Sequence, residues 1–284
     1  MCRLFGFRSV IQSQVHRSLV SADNALAVQS ERHPDGWGVA YYVAQYPHLI
    51  KSASTALDDA LFQRVSGIVS SETVVAHVRK ATQGELTPLN SHPFQFGRWV
   101  MAHNGDIPTF PRVANKLREE IPPVFRRFIL GDTDSEVFFY LFLKHLASEV
   151  DIHRPGTPLD TARKALARAV ALVREIADDS DHRSLLTFIV TNGDIMLAHH
   201  GGKDLFFSTY KRRCPDRDVC ASLAPACEAE TTTGYVNHFL VSSEPLLGEN
   251  VWIPLQPNET VAVDNQMRFF RYTDYERHSA NAIG

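Results

Sequence analysis

The chain begins Met1-Cys2-Arg3-Leu4-Phe5-Gly6-Phe7-Arg8, and its second residue decides how the rest of the sequence is interpreted. Removal of Met1, which is usual before a small second residue, would leave Cys2 with both a thiol and a free α-amine. An α-amine titrates at about pH 7.7–8.0 and a thiol at about 8.5, so at neutral pH part of the amine is free to accept the thiol proton. Nucleophile and base would then share one residue. The alternative is a thiol that only packs within the first strand.

Composition describes a globular protein and excludes several classes of function. The chain has 284 residues, of which 44% are hydrophobic and 21% charged, and its net charge is -3. This balance provides no polycationic surface, so we expect no nucleic-acid and no membrane partner. The longest apolar run, residues 137–143, is far shorter than the roughly 20 residues of a membrane span. We find no signal-peptide pattern and expect a cytoplasmic protein.

The order of predicted elements favours stacked layers of sheet and helix. We find no repeat and no long linker, so we predict one domain over residues 1–284. The early part predicts strands at 3–9, 37–43, 73–79 and 98–103, a helix-like stretch at 18–30 and a turn at 33–36. Alternation in the strand at 73–79 predicts that residues 74, 76 and 78 share one face and that residues 75, 77 and 79 share the other. The strand at 98–103 ends in Asn104-Gly105, a pair typical of a tight turn.

Helices dominate the middle of the chain and strands its last third. Thr133-x-x-Glu136 has the spacing of a capping box and predicts a helix with Asp134 in its first turn. Apolar residues at helical spacing predict a second helix after Pro158. Six short β-prone runs follow, at residues 185–191, 195–199, 204–208, 236–242, 259–263 and 267–272. This strand, helix, strand order is typical of layered α+β proteins rather than of alternating βαβ units.

Five ordered motifs connect these elements to a family. They are Cys2, then His77-x-Arg79-x-x-Thr82-x-Gly84, His92-Pro93, His103-Asn104-Gly105 and Asp134-x-Glu136. The combination resembles the class II glutamine amidotransferases, whose glutaminase domain is an N-terminal nucleophile hydrolase. Residues 35–40 and 242–246 are similar to stand-alone members, which include γ-glutamyl hydrolases acting on glutathione-like or ergothioneine-precursor peptides. The resemblance implies an α+β fold, the four-layer αββα sandwich of N-terminal nucleophile hydrolases.

The resemblance also implies a reaction at Cys2. The thiol would attack the side-chain amide of glutamine, release ammonia and leave a γ-glutamyl thioester that water hydrolyses to glutamate. The Asn104 side chain and the Gly105 backbone N–H would stabilise the oxyanion, and such preorganised donors contribute about 3 kcal/mol each. Without the family likeness, Asn104-Gly105 is equally typical of a plain turn.

Four further residues match family positions that hold the amino-acid end of the substrate. Arg79 would bind the α-carboxylate through its planar guanidinium, and Asp134 would bind the α-ammonium. Thr82 would lie nearby, and Gly84 would leave room for the ligand. From the sequence alone, Arg79 also suits a solvated strand position, and Asp134 also suits the start of a helix.

Several alternatives remain open at this stage. His77, His92 and His103 are interpreted as structural, because the α-amine already supplies a base. A papain-like thiol protease would use the same residue types but gives no reason for a terminal Cys2. A non-catalytic binding or regulatory subunit that retains the fold and pocket is the second hypothesis.

The substrate and partners are also open. Lys80 stands where many synthase-linked members have Trp, and Gln83 where many have His. Glutamine and a γ-glutamyl compound with a peptide-like leaving group are therefore both candidate substrates. No synthase domain follows the motifs, so ammonia transfer would need a separate acceptor protein. We predict no cofactor and no metal, since Cys214, Cys220 and Cys227 lack the paired spacing of zinc ligands.

Overall fold

Two antiparallel sheets pack face to face between two layers of helices. The computed structural model describes residues 2–15 and 17–273. Its strands are β1 Arg3–Gln14, β2 Trp37–Val43, β3 Tyr46–Ser52, β4 Ser70–Val78, β5 Phe94–Phe96, β6 Trp99–Asp106, β7 Leu185–Thr191, β8 Met196–His199, β9 Phe206–Ser208, β10 His238–Ser242, β11 Ile253–Pro254, β12 Thr260–Val263 and β13 Phe269–Tyr272. Its α-helices are α1 Leu26–Gln29, α2 Ala60–Ile68, α3 Phe110–Glu119, α4 Pro123–Arg126, α5 Asp134–Ala147 and α6 Leu159–Ala177.

The strand order places the start of β1 in the middle of the first sheet. That sheet has the order β11-β9-β10-β1-β4-β2-β3, and the second has the order β13-β12-β8-β7-β6-β5. In the first sheet Arg3 lies opposite Val78 of β4, and Phe5 lies opposite Ser242 of β10. Cys2 therefore lies beside the residues that follow β4 and β10.

Three apolar clusters separate the four layers. One fills the space between the sheets and contains Leu4, Val75 and Ile189. A second packs α3, α5 and α6 against the six-stranded sheet, and a third packs α1 and α2 against the outer face of the seven-stranded sheet. The alternation predicted for residues 73–79 is confirmed, since Val74 and Ala76 belong to the outer cluster. The predicted αββα architecture is therefore confirmed.

The structure confirms most of the predicted elements and corrects two. The predicted turn at Asn104-Gly105 is wrong, because both residues lie within β6 and pair with Thr187 and Leu186 of β7. Tertiary pairing thus overrides the local turn preference of this pair. The helix-like stretch 18–30 is divided into a π-turn at Arg17–Ser21, the short α1 and a 3₁₀ turn. No helix in the described part of the chain combines the length and apolar character needed to cross a membrane.

The helix predicted from the capping box is α5, and its N-terminus is more elaborate than the motif. The Thr133 hydroxyl accepts a hydrogen bond from the Glu136 N–H at 3.2 Å, as the motif predicts. The Glu136 carboxylate instead accepts hydrogen bonds from the backbone of Leu130 at 3.1 Å and Gly131 at 2.7 Å. These bonds fix the loop that leads into Asp134.

Candidate active site

The Cys2 thiol is buried against the backbone of the residue after Arg79. The Lys80 N–H donates to Sγ at 3.3 Å, and Sγ lies 3.4 Å from the Lys80 carbonyl oxygen. Burial raises the pKa of the Cys2 thiol, and the hydrogen bond from Lys80 and the nearby Arg79 charge oppose this rise. The sulfur therefore needs a local base before it can act as a nucleophile.

Arg79 lies next to Cys2 but is already engaged by the following loop. Its side chain is buried, and its guanidinium donates to the carbonyl oxygens of Gln83 at 2.7 Å, Glu85 at 2.9 Å and Gly84 at 3.4 Å. Arg79 thus shapes the loop over residues 83–85. A substrate carboxylate would have to use the remaining guanidinium edge or displace some of these carbonyls.

Asp134 is held at the N-terminus of α5. One carboxylate oxygen accepts from the Ile107 N–H at 2.8 Å, and the other accepts from the Ser135 N–H at 2.8 Å. Burial raises the pKa of Asp134, and the hydrogen bonds from the Ile107 N–H and the Ser135 hydroxyl oppose this rise. The Gln83 side chain donates to Asp106 Oδ1 at 3.3 Å, one residue before the Ile107 N–H that Asp134 accepts. The loop that Arg79 holds therefore extends to the segment that binds Asp134.

Ser243 connects Asn104 to the N-terminal strand. The Asn104 amide donates to the Ser243 hydroxyl at 3.4 Å, and this hydroxyl accepts from the Leu4 N–H at 2.9 Å. The Ser243 N–H in turn donates to the Leu4 carbonyl at 3.1 Å. Sequence reasoning noted residues 242–246 as family-like but did not assign Ser243 to the site. Its spatial neighbours lie more than one hundred residues away, so no local signal identifies it.

Gly84 and Thr82 lie in the loop that Arg79 holds. Gly84 has φ +73, and a Cβ there would lie 2.8 Å from the Asn90 amide nitrogen, which explains the need for glycine. The same amide nitrogen donates to the Glu85 carbonyl at 3.0 Å, so Asn90 is a second residue that sequence reasoning missed. Thr82 is exposed on this loop.

The three histidines of the motifs form a buried cluster of tilted rings behind the site. The rings of His77 and His92 are 4.2 Å apart, and those of His92 and His103 are 6.5 Å apart. His103 bridges the Ser135 hydroxyl at 2.8 Å and the Leu185 carbonyl at 2.9 Å. Burial lowers the pKa of all three rings, so neutral imidazoles pack here.

The three remaining cysteines lie away from Cys2. Cys214, Cys220 and Cys227 line a cavity of about 610 Å³ beside Ser9, at the other end of the seven-stranded sheet. In residues 2–15 and 17–273 no group of three or more His, Cys, Asp or Glu side chains is arranged to hold a metal ion.

The fold and the site together define a class. Two antiparallel sheets between helices, with a buried cysteine beside the first residue of a central strand, make up the architecture of the N-terminal nucleophile hydrolases. Residues 1–281 match the family model of the class-II glutamine amidotransferases, and the chain belongs to that family.

Relatives and solved structures agree with this assignment. The chain is 29% identical to the probable glutamine amidotransferase DUG3 of Saccharomyces cerevisiae, over 94% of this chain and 82% of that protein. It is 32% identical to the gamma-glutamyl-hercynylcysteine sulfoxide hydrolase of Mycobacterium tuberculosis, over 38% of this chain and 50% of that protein. The fold is similar to a glutamine aminotransferase class-II domain protein from Silicibacter pomeroyi, with a TM-score of 0.64, 21% identity and coverage of 95% and 98%.

Proposed function

We propose that this protein is a single glutamine amidotransferase domain that hydrolyses a γ-glutamyl amide through Cys2. The observation that carries the proposal is the buried Cys2 thiol, which accepts a hydrogen bond from the residue after Arg79. The loop held by Arg79 contacts Asp106, next to the Ile107 N–H that binds Asp134. A γ-glutamyl group presents an α-carboxylate and an α-ammonium at one end and an amide at the other. A selective site needs opposite charges for the first two and a nucleophile for the third.

The reaction begins with a proton transfer within Cys2. After removal of Met1, which lies outside the described residues, the free α-amine accepts the thiol proton. The thiolate attacks the amide carbonyl carbon and forms a tetrahedral oxyanion. Collapse of this intermediate breaks the C–N bond, and the departing amine or ammonia takes up a proton. Water then attacks the thioester, which releases glutamate and restores the thiol.

Asn104 and Gly105 are proposed to stabilise the oxyanion. Among the described residues, the Asn104 amide nitrogen donates to Ser243 alone, over a long distance of 3.4 Å, so a developing negative charge can compete for this donor. Ser243 also accepts a hydrogen bond from the Leu4 N–H, which connects the amide to the strand that begins beside Cys2. This arrangement supplies a donor that is oriented before the charge forms.

Arg79 and Asp134 are proposed to hold the amino-acid end of the substrate, with Thr82 and Gly84 forming the adjoining loop. Because Arg79 also holds the carbonyls of residues 83–85, substrate binding and loop position are linked. Ammonia released from glutamine would pass to a separate acceptor protein. The names of these two relatives support hydrolysis of a glutamine or γ-glutamyl amide as the type of reaction. The particular substrate in a relative's name is that relative's substrate.

The proposal is tested with protein whose Met1 removal is verified by mass spectrometry. Release of glutamate is measured from glutamine, glutathione and other γ-glutamyl compounds. We expect Cys2→Ala to lower the rate by at least about 10³-fold, as loss of a nucleophile does elsewhere. Cys220→Ala, at the distant cavity, is the matched control. Protein that keeps Met1 should be inactive, since its α-amine is no longer on Cys2.

Three outcomes would contradict the proposal and separate the alternatives. Turnover that survives Cys2→Ala excludes this nucleophile. Binding of glutamine without cleavage by Met-free protein favours the non-catalytic regulatory subunit. Cleavage of ordinary peptides that is indifferent to Arg79→Ala favours a thiol protease.

A further inference from the structure

The cavity beside Ser9 lies on the outer face of the seven-stranded sheet. Ser9 of β1 lies opposite His238 of β10, and Phe7 lies opposite Leu240. Residues that face each other across an antiparallel pair point to the same side of the sheet, and Phe7 and Leu240 belong to the outer apolar cluster. All four residues line the cavity, whose volume is about 610 Å³. This volume lies within the range of roughly 300–1,000 Å³ that is typical of sites for small organic molecules.

The cavity is separate from Cys2. Leu4 belongs to the cluster between the two sheets, so the alternation of the strand directs the Cys2 side chain to the inner face. Along an extended strand, Ser9 is about 23 Å from Cys2. A small molecule in the cavity therefore does not reach the thiol, and the cavity is a second candidate site that does not depend on the proposed reaction.

His238 contributes a buried polar atom without a partner to the lining of this cavity. The residue is 8% exposed, and its Nε2 makes no hydrogen bond with any described residue. Burial and the Lys211 charge lower the pKa of His238 to about 4, so the ring is neutral at pH 7. A neutral imidazole can present an N–H at Nε2. Because an unpaired buried polar atom is costly, this ring is suited to donate to a bound molecule.

Lys211 and Asn250 lie side by side in the lining of the same cavity. They pair as an isolated antiparallel bridge. The buried Oδ1 of Asn250 accepts no hydrogen bond from the described residues. The Lys211 ammonium donates to Cys214 Sγ over 3.9 Å, and sulfur is a weak acceptor. The lining thus offers an ammonium, an imidazole and an amide oxygen whose hydrogen-bonding capacity is largely unused.

These groups favour an organic acid with a single negative charge. Asp216 and Glu249 also line the cavity, but both are exposed, so water and salt screen their charges. Lys211 is half-buried, and its charge acts on His238. One ammonium beside a neutral N–H donor matches the charge of a carboxylate. The Asn250 oxygen needs a donor on the same molecule, and the apolar side chains of β1 and β10 need an apolar group.

From this arrangement we propose that the cavity is a second ligand site, which binds an amphipathic carboxylic acid. Lys211 and His238 bind the carboxylate. Asn250 accepts a hydrogen bond from an N–H or O–H group of the ligand, and the apolar part of the ligand packs against Phe7 and Leu240.

The test uses three indole compounds as probes. Indole-3-propionic acid has a carboxylate, an N–H and an apolar ring system. Indole-3-propionamide lacks the charge, and 1-methylindole-3-propionic acid lacks the N–H. Dissociation constants are measured by isothermal titration calorimetry with the full chain. We expect one molecule of the acid to bind about tenfold or more tightly than the amide, which is the worth of one charge-assisted hydrogen bond. Methylation of the ring nitrogen should weaken binding several-fold, because Asn250 then lacks a donor.

Variants of the lining identify the groups that bind the probe. Lys211→Met should abolish the preference for the acid over the amide, while Lys211→Arg should retain it, because arginine keeps the positive charge. His238→Phe keeps an aromatic ring but removes Nε2, and should weaken binding of the acid several-fold. The urea midpoint verifies that each variant is folded. Lys164→Met is the matched control, because the Lys164 side chain is 59% exposed and paired with Asp160, and it should bind the acid as the wild type does.

Several results would overturn this inference. One is equal affinity for the acid and the amide, and another is failure of the acid to bind at millimolar concentration. A preference that survives both Lys211→Met and His238→Phe shows that the carboxylate binds elsewhere. The Cys2→Ala protein should bind the acid normally, and loss of binding in this variant would place the ligand at the candidate active site instead. Each of these results leaves the proposed hydrolysis at Cys2 to be decided by its own assay.

Discussion

Replacement of Gly105 by alanine is expected to damage the fold at the candidate oxyanion site. A Cβ at this position would overlap the Leu185 carbonyl oxygen and His103 Nε2, and would lie 2.7 Å from the Leu185 carbonyl carbon. Non-bonded carbons are separated by about 3.5–4.0 Å, so the carbonyl carbon alone requires β7 to retreat by about 0.8 Å. The carbonyl oxygen lies closer still and requires a larger shift. Rotation of the His103 side chain cannot relieve this overlap, because the nearest atom is the Leu185 carbonyl oxygen of the backbone.

The loss of folding stability in Gly105→Ala can be worked from the contacts that the displacement of β7 would break. The hydrogen bond between His103 Nε2 and the Leu185 carbonyl, now 2.9 Å, would be stretched beyond its useful range. Loss of that bond costs about 0.5–1.5 kcal/mol, and overpacking costs about 1–3 kcal/mol. We expect a free energy of unfolding lower by about 2–4 kcal/mol. The melting temperature should fall by about 3–7 °C.

The assay is urea unfolding followed by tryptophan fluorescence, with γ-glutamyl hydrolysis measured in parallel. Gly67→Ala is the matched control, because a Cβ at that position in α2 meets no atom within 4 Å. Alanine in a helix interior should stabilise the protein by about 0.5–1 kcal/mol. A Gly105→Ala protein with a urea midpoint equal to that of the wild type would refute the reasoning.

Three further predictions concern stability. Burial lowers the pKa of His238 to about 4, below the value of about 6.5 expected in the unfolded chain. Between these two pH values the unfolded state binds a proton that the folded state does not, so the free energy of unfolding falls as the pH drops from about 6.5 to 4. His238→Gln should flatten this fall by up to about 3 kcal/mol in urea titrations across that range, with surface His153→Gln as the control. Asp59→Ala removes the N-cap of α2 and the 2.8 Å hydrogen bond from Trp37, and should lower the free energy of unfolding by about 1–3 kcal/mol. Asp59→Asn should recover part of this loss, and an unchanged urea midpoint in Asp59→Ala would contradict the capping role. Tyr42→Phe removes the 2.7 Å bond to the Arg98 carbonyl that ties the two sheets together, and should lower the melting temperature by a few degrees in calorimetry.

Local sequence patterns predicted much of the architecture because they report on single elements. The alternation over residues 73–79 distinguished the two faces of β4, and Thr133-x-x-Glu136 located the start of α5. The family motifs predicted Arg79, and the structure places the next residue, Lys80, against the Cys2 thiol. The Asn104-Gly105 pair was misjudged, because its turn preference is local while its pairing with β7 depends on residues some eighty positions later.

The sequence by itself determined which chemical groups the candidate site contains. The motifs supply a thiol, a guanidinium and a carboxylate, and the chemistry of these groups does not depend on the fold. Only the tertiary structure decided how those groups are held. Antiparallel pairing of β1 with β10 brings Ser243 to Leu4 and Glu244 to Arg3, across more than two hundred residues. Pairing of β1 with β4 places Cys2 beside Lys80, and the loop after β4 folds back so that its carbonyls engage Arg79. Such contacts depend on the register of distant strands, and no local pattern encodes that register.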